Sequence, residues 1–190
     1  SDDGSRVAIG AYYNEGTTTS NAGHVRIYEY DGTIWNQLGQ DIDGEATNDW
    51  SGFSVSINSD GTIVAIGARL NDGTGAADAG HVRIYQYDGT VWNQLGQDID
   101  GEAASDNSGW AVSISDDGSR VAIGAYYNEG TTTYDAGHVR VYELDHTKNY
   151  VQVIKQAPLQ IGVETQRLGY AADISGIVDI SGALFTHGDV

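Results

Sequence analysis

The sequence predicts an all-β chain, a partial β-propeller of about three four-stranded blades followed by a short β-rich tail. Three observations predict it. Residues 1–19 recur letter for letter at 115–133, with a diverged copy between them. Gly10, Gly67 and Gly124 are each 57 residues apart, as are His24, His81 and His138, so no insertion separates the copies. Each period holds four short runs rich in β-branched and aromatic residues, bounded by Gly, Asp and Asn, and nothing in it reads as a helix. A fixed period of this kind implies one supersecondary unit per repeat, each burying its apolar faces against its neighbours.

The middle copy shows the elements in order. Strand one is expected at Gly52–Ile57 (GFSVSI), where Phe53, Val55 and Ile57 alternate with Ser54 and Ser56. Strand two, Ile63–Ala68 (IVAIGA), is apolar or small at every position from Val64 onward, which suits a strand covered on both faces by adjacent blades. Strands three and four are expected at His81–Tyr87 and Val91–Leu95. Ser59-Asp60-Gly61 and Asp88-Gly89 are tight turns, whereas Asn71–Gly80 and Gly96–Ser108 are long connections. Antiparallel strands alternate in direction, so both tight turns fall at one end of the blades and both long loops at the other. The first copy opens at strand two, Arg6–Ala11, so eleven main strands are expected. In the last copy Tyr150 stands in for Trp35 and Trp92 after a one-residue shift. The blades occupy residues 1–155; residues 156–190 read as a linker and the start of a further β-rich segment. Incomplete closure would leave this chain open-sided and weakly stable alone.

Twenty-seven acidic residues against nine Lys and Arg leave a formal charge of −18, which disfavours nucleic-acid phosphates and anionic membranes as partners. There is no cysteine, so disulfides and thiolate metal sites are excluded. No apolar run approaches the roughly 20 residues of a membrane span.

The order Phe53 with alternating apolar residues, a Ser-Asp-Gly turn, VAIGA and AGHVRIYQYDG resembles FG-GAP repeats, the propeller units of integrin α chains and their relatives. The matching positions are Gly52-Phe53 and Gly109-Trp110 with the pair reversed, Gly10-Ala11, Gly67-Ala68 and Gly124-Ala125, and the stretches Gly23–Tyr28, Gly80–Tyr85 and Gly137–Tyr142. The resemblance covers roughly residues 1–155 and implies a propeller of about seven blades. Many such repeats place a DxDxDG calcium loop between strands one and two. Asn58-Ser59-Asp60-Gly61 and Ser115-Asp116-Asp117-Gly118 hold too few carboxylates for it, so that calcium site is not carried over. The tail, with LQIGVETQRLGYAADISG, is similar to segments that begin the shafts of phage and giant-virus fibre proteins.

Candidate chemistry is sparse. The three histidines stand one per blade, which points to structural or simply exposed residues, and no His–carboxylate pairing at short spacing suggests a metal hydrolase. No nucleophile elbow, P-loop or dinucleotide fingerprint occurs. The densest acids, Asp41, Asp43 and Glu45 with Asp98, Asp100 and Glu102, are candidate ligands for calcium or else solvated turns. Because they recur in neighbouring blades they do not read as an active site. Basic residues are nearly absent from these loops, so a divalent ion or a Lys-rich partner would relieve their repulsion. Tyr12, Tyr13, Arg69, Tyr126 and Tyr127 open the second long loop and are either core packing or a contact platform. The expected function is a non-catalytic surface or adhesion module of an extracellular or virion-surface protein, presenting its long-loop face to a protein or glycan beside further blades of the parent chain. The alternative is an architectural spacer or fibre-base domain, and a glycan-active enzyme comes third.

Overall fold

The computed structural model describes residues 1–15, 20–73, 75–129, 135–145 and 147–153; the expected tail, 156–190, lies outside the described residues. The described chain is all-β and forms three consecutive propeller blades. Blade one contains β1 (Arg6–Ala11), β2 (His24–Tyr30), β3 (Trp35–Gln37) and the short β4 (Ile42–Asp43). Blade two is β5 (Ser51–Ile57), β6 (Ile63–Ala68), β7 (His81–Tyr87), β8 (Trp92–Gln94) and β9 (Ile99–Asp100). Blade three is β10 (Ser108–Ile114), β11 (Arg120–Ala125), β12 (His138–Leu144) and β13 (Tyr150–Gln152). Each complete blade is an antiparallel meander in sequence order, β5-β6-β7-β8 and β10-β11-β12-β13. The expected eleven main strands are present among the described residues.

One expectation is corrected. The connection after strand four is not a free loop, because β4 and β9 turn back and pair with β2 and β7. Gly44 and Gly101 donate to the carbonyls of Gly23 and Gly80, holding this strap onto strand three.

Side-chain alternation explains the stacking. On β6, Val64 and Ile66 join Val25, Ile27, Leu38 and Ile42 of blade one in one core cluster. Ile63 and Ala65, pointing the other way, join Val112, Ile114, Val121 and Ile123 of blade three in a second. All six β6 residues are therefore buried, as the unbroken apolar run requires. Truncating one of these isoleucines to alanine costs about 2–5 kcal/mol.

The blades approach through their inner strands, β5 lying against both β1 and β10. Contact is close enough that a Cβ on Gly67 would sit 2.2 Å from the Gly109 carbonyl oxygen. Ser54 donates to the same carbonyl, and the Ile114 amide donates to Ser56 Oγ. Farther out, the Trp92 indole donates to the Leu38 carbonyl, while the Gln40 amide both donates to and accepts from the Trp92 backbone. Tyr150 occupies the matching position in blade three, buried, with its hydroxyl donating to the Gly118 carbonyl.

Candidate functional site

Strand one of each complete blade begins irregularly. The β5–β6 register shifts between Ser51 and Ser54, and the β10–β11 register shifts between Ser108 and Ala111. Gly52 and Gly109 both hold φ 82°, while Trp50 itself stands at φ 58°, a conformation that a bulky residue adopts only at a cost. Such a bulge re-aims the side chains beside it. Here it turns Trp50, Phe53 and Trp110 toward the ends of β1, β6 and β11, where Tyr12-Tyr13, Arg69 and Tyr126-Tyr127 emerge.

The result is a continuous aromatic shelf spanning three blades. Tyr12 and Tyr13 lie 5.5 and 4.9 Å from Trp50, centroid to centroid. Phe53 and Trp110 meet edge-to-face at 5.3 Å, and Trp110 stacks on Tyr126 at 4.6 Å. Arg69 sits at the middle, its guanidinium carbon 4.4, 4.5 and 4.6 Å from the rings of Trp50, Phe53 and Trp110. Each contact places a cation over a π face. Its Nη1 donates to Asn107 Oδ1 at 2.8 Å, while its Nε is buried with no hydrogen-bond partner. Burial pulls the Arg69 pKa below its ordinary value; a guanidinium stays charged in proteins all the same. The five residues Tyr12, Tyr13, Arg69, Tyr126 and Tyr127 are thus brought together. Trp50, Phe53, Trp110 and Asn107 were missed as site residues, although an aromatic at the opening of strand one in both complete copies was visible in the sequence.

Basic residues are nearly absent from the acidic loops themselves, yet Asp41, Glu45 and Glu102 each have an arginine partner. The arginines come from strand three, outside the loops. Arg26 donates to both carboxylate oxygens of Asp41, at 2.9 and 2.7 Å, which holds that carboxyl at a pKa of about 2. Arg83 crosses to the preceding blade, with Glu45 at 3.2 Å and the Asp43 carbonyl at 2.8 Å. Arg140 likewise reaches Glu102. Asp49 and Asp106 are buried and structural: each accepts from a backbone amide, of Ala46 or Ala103, and from the side-chain amide of Asn71 or Asn128. In the turn between strands one and two, Asn58 and Asp60 are spent capping the amides of Thr62 and Ile63.

The fold keeps the histidines one per blade but brings carboxylates to two of them, pairings that sequence spacing did not suggest. His24 gathers with Asp41 and Asp43, and His81 with Glu45 and Asp98, their ligand atoms all within 4.8 Å of one another in each group. Sequence spacing concealed these groups because pairing of the strap onto strand three sets Asp43 opposite His24 and Asp100 opposite His81. Burial, reinforced by Arg83, lowers the His81 pKa to about 4, so its ring is neutral at neutral pH. Burial and then the neighbouring Asp98 raise that of Asp100.

No protein-family model and no curated protein matches the sequence. Solved propeller structures are similar to it. A candidate 6-phosphogluconolactonase of Bacteroides uniformis is 14% identical with a TM-score of 0.46, over 70% of this chain and 34% of that one. A second, of Bacteroides fragilis, is 16% identical with a TM-score of 0.49, over 72% and 33%. The periplasmic gluconolactonase of Pseudomonas aeruginosa is 15% identical with a TM-score of 0.44, over 77% and 37%. The chain therefore spans about a third of the length of these structures, and at such identity the likeness bears on the fold. Their names are those of enzymes, so the expectation of a non-catalytic adhesion module is corrected and not retained. That expectation rested on the repetition of the acids; the site residue that breaks the repeat is Arg69.

Proposed function

We propose that this chain supplies one sector of a propeller enzyme acting on a small, sugar-derived anionic molecule, which is held over the aromatic shelf with Arg69 as its charge contact. One observation carries the reading. In a repeat whose flanking copies place Tyr12 and Tyr126 at this position, the middle copy substitutes Arg69, surrounds it with three rings and leaves its Nε buried without a partner. A buried polar hydrogen without an acceptor costs about 1–3 kcal/mol, a cost that an anionic ligand oxygen would remove. Flat aromatic faces with a few polar groups suit a ring-shaped polar ligand. We also retain as proposals the FG-GAP-like assignment, an extracellular or surface location, and further blades of the same kind as partners, supported by the threefold landmarks at Gly10, Gly67 and Gly124.

Tryptophan fluorescence tests the site, because Trp50 and Trp110 lie on the shelf while Trp35 and Trp92 lie on fourth strands. Glucuronate should produce a saturable change that methyl glucoside does not match, and Arg69→Gln should weaken it by about 30-fold, the scale of a buried charged contact. A flat titration with glucuronate in the folded protein would reject the reading.

A further inference from the structure

We propose that Glu45, His81 and Asp98 form a site for a divalent transition-metal ion of the zinc class, bridging blades one and two. The three donors come from different elements: Glu45 from the strap of blade one, His81 from the start of β7, and Asp98 from the turn before β9. Their ligand atoms lie within 4.8 Å of one another. Zinc bonds of about 2.0–2.2 Å in tetrahedral array place donors roughly 3.3–3.5 Å apart, so closure needs a shift of about an ångström. Glu45, long and half-exposed, can supply it.

The second observation is His81 itself. Its side chain is 2% exposed, faces the two carboxylates, and makes no hydrogen bond among the described residues. A buried neutral imidazole normally spends its ring nitrogens on hydrogen bonds; here the groups within reach of its lone pair are carboxylates, which cannot donate while ionised. Gln94 donates to Asp98 at 2.6 Å and orients it, as ligating carboxylates are usually oriented.

Charge sets this junction apart from the others. In blade one, Arg26 occupies both oxygens of Asp41, so that carboxylate is already engaged as an ion pair. In blade two the equivalent Arg83 has crossed to Glu45, leaving Asp98 and its neighbour Asp100 without an arginine. An ion would take Glu45 from Arg83, which keeps the Asp43 carbonyl. In blade three the sequence from 150 to 160 carries no acid to match Asp98, and His138 Nε2 instead accepts from Arg140. The mixed nitrogen and oxygen donor set favours zinc over calcium, which binds through oxygen alone.

Calorimetric titration of the metal-stripped, tag-free chain with zinc should give one ion per chain. Affinity should fall at least tenfold in Asp98→Asn and in Glu45→Gln, two exposed positions whose variants can be confirmed as folded by circular dichroism, and should be unchanged in Asp41→Asn. His81→Ala should abolish binding. Absence of saturable zinc binding, binding that survives both Asp98→Asn and Glu45→Gln, or a calcium preference that survives His81→Ala would each overturn the assignment.

Discussion

His138 is 4% exposed, and burial followed by the nearby Arg140 brings its pKa down to about 4. Arg140 Nη1 lies 2.8 Å from His138 Nε2, a bond in which the guanidinium donates and only a neutral imidazole can accept, while the other arm of Arg140 reaches Glu102. Because the folded pKa lies below the ordinary 6.5, the unfolded chain binds the extra proton between these values. The stabilisation is complete above about pH 6.5 and is lost as pH falls toward 4. Melting temperature measured across that window should fall with pH, at up to about 1.4 kcal/mol per unit for one proton. His138→Gln should reduce the slope to the share contributed by His81, whose pKa burial also lowers to about 4, and an unchanged slope would show that the acid sensitivity arises elsewhere. The sequence left His138 as either structural or simply exposed, and the structure buries it against Arg140, a pairing that the letters alone did not disclose.

Among the elements, the Gly-Ala ending of strand two has a reason that turn propensity does not supply. Neither Gly10 nor Gly67 has a positive φ; each instead faces the backbone of the next blade's first strand, with a Cβ falling 2.0 Å from the Gly52 carbonyl oxygen or 2.2 Å from that of Gly109. The clashing atoms are backbone, so Gly67→Ala must separate two blades and should cost about 2–4 kcal/mol in denaturant unfolding, in the range of strong overpacking. Gly89 in the Asp-Gly turn, at φ 102° with open space around it, should lose about 1 kcal/mol on the same change, from backbone strain alone. Equal losses at the two sites would contradict the close approach. The tight turns and strand order were readable from Gly, Asp and alternation. The straps β4 and β9 were not, because two-residue pairings carry too little periodicity to register.

At the scale of the whole molecule, protection should follow stacking. Blade two is covered on both faces, whereas β1 is nowhere fully buried and β3 is exposed throughout. Hydrogen exchange should therefore be slowest in β6 and the first part of β7, slow in β11, and fastest in β3 and the ends of β1 and β13. Equal protection of β1 and β6 would mean that blade one is packed more completely than its side chains indicate. The cross-blade arginines contribute to this unity, since Arg83 and Arg140 each hold the acidic strap of the blade before them.

The sequence by itself determined the repeat, its strands, their tight turns and the two-sided burial of β6, because each depends on residues near one another in a 57-residue period. It also marked Tyr12, Arg69 and Tyr126 as equivalent positions with different chemistry. Only the tertiary structure decided that these positions converge: the bulges at Ser51 and Ser108 aim Trp50, Phe53 and Trp110 at Arg69, and the straps bring carboxylates to His24 and His81. The physical reason is distance along the chain. Arg69 and Asn107 are 38 residues apart, and Arg83 and the Asp43 carbonyl 40. Contacts of that separation arise from how one blade twists against the next, which the order of letters within a repeat does not encode.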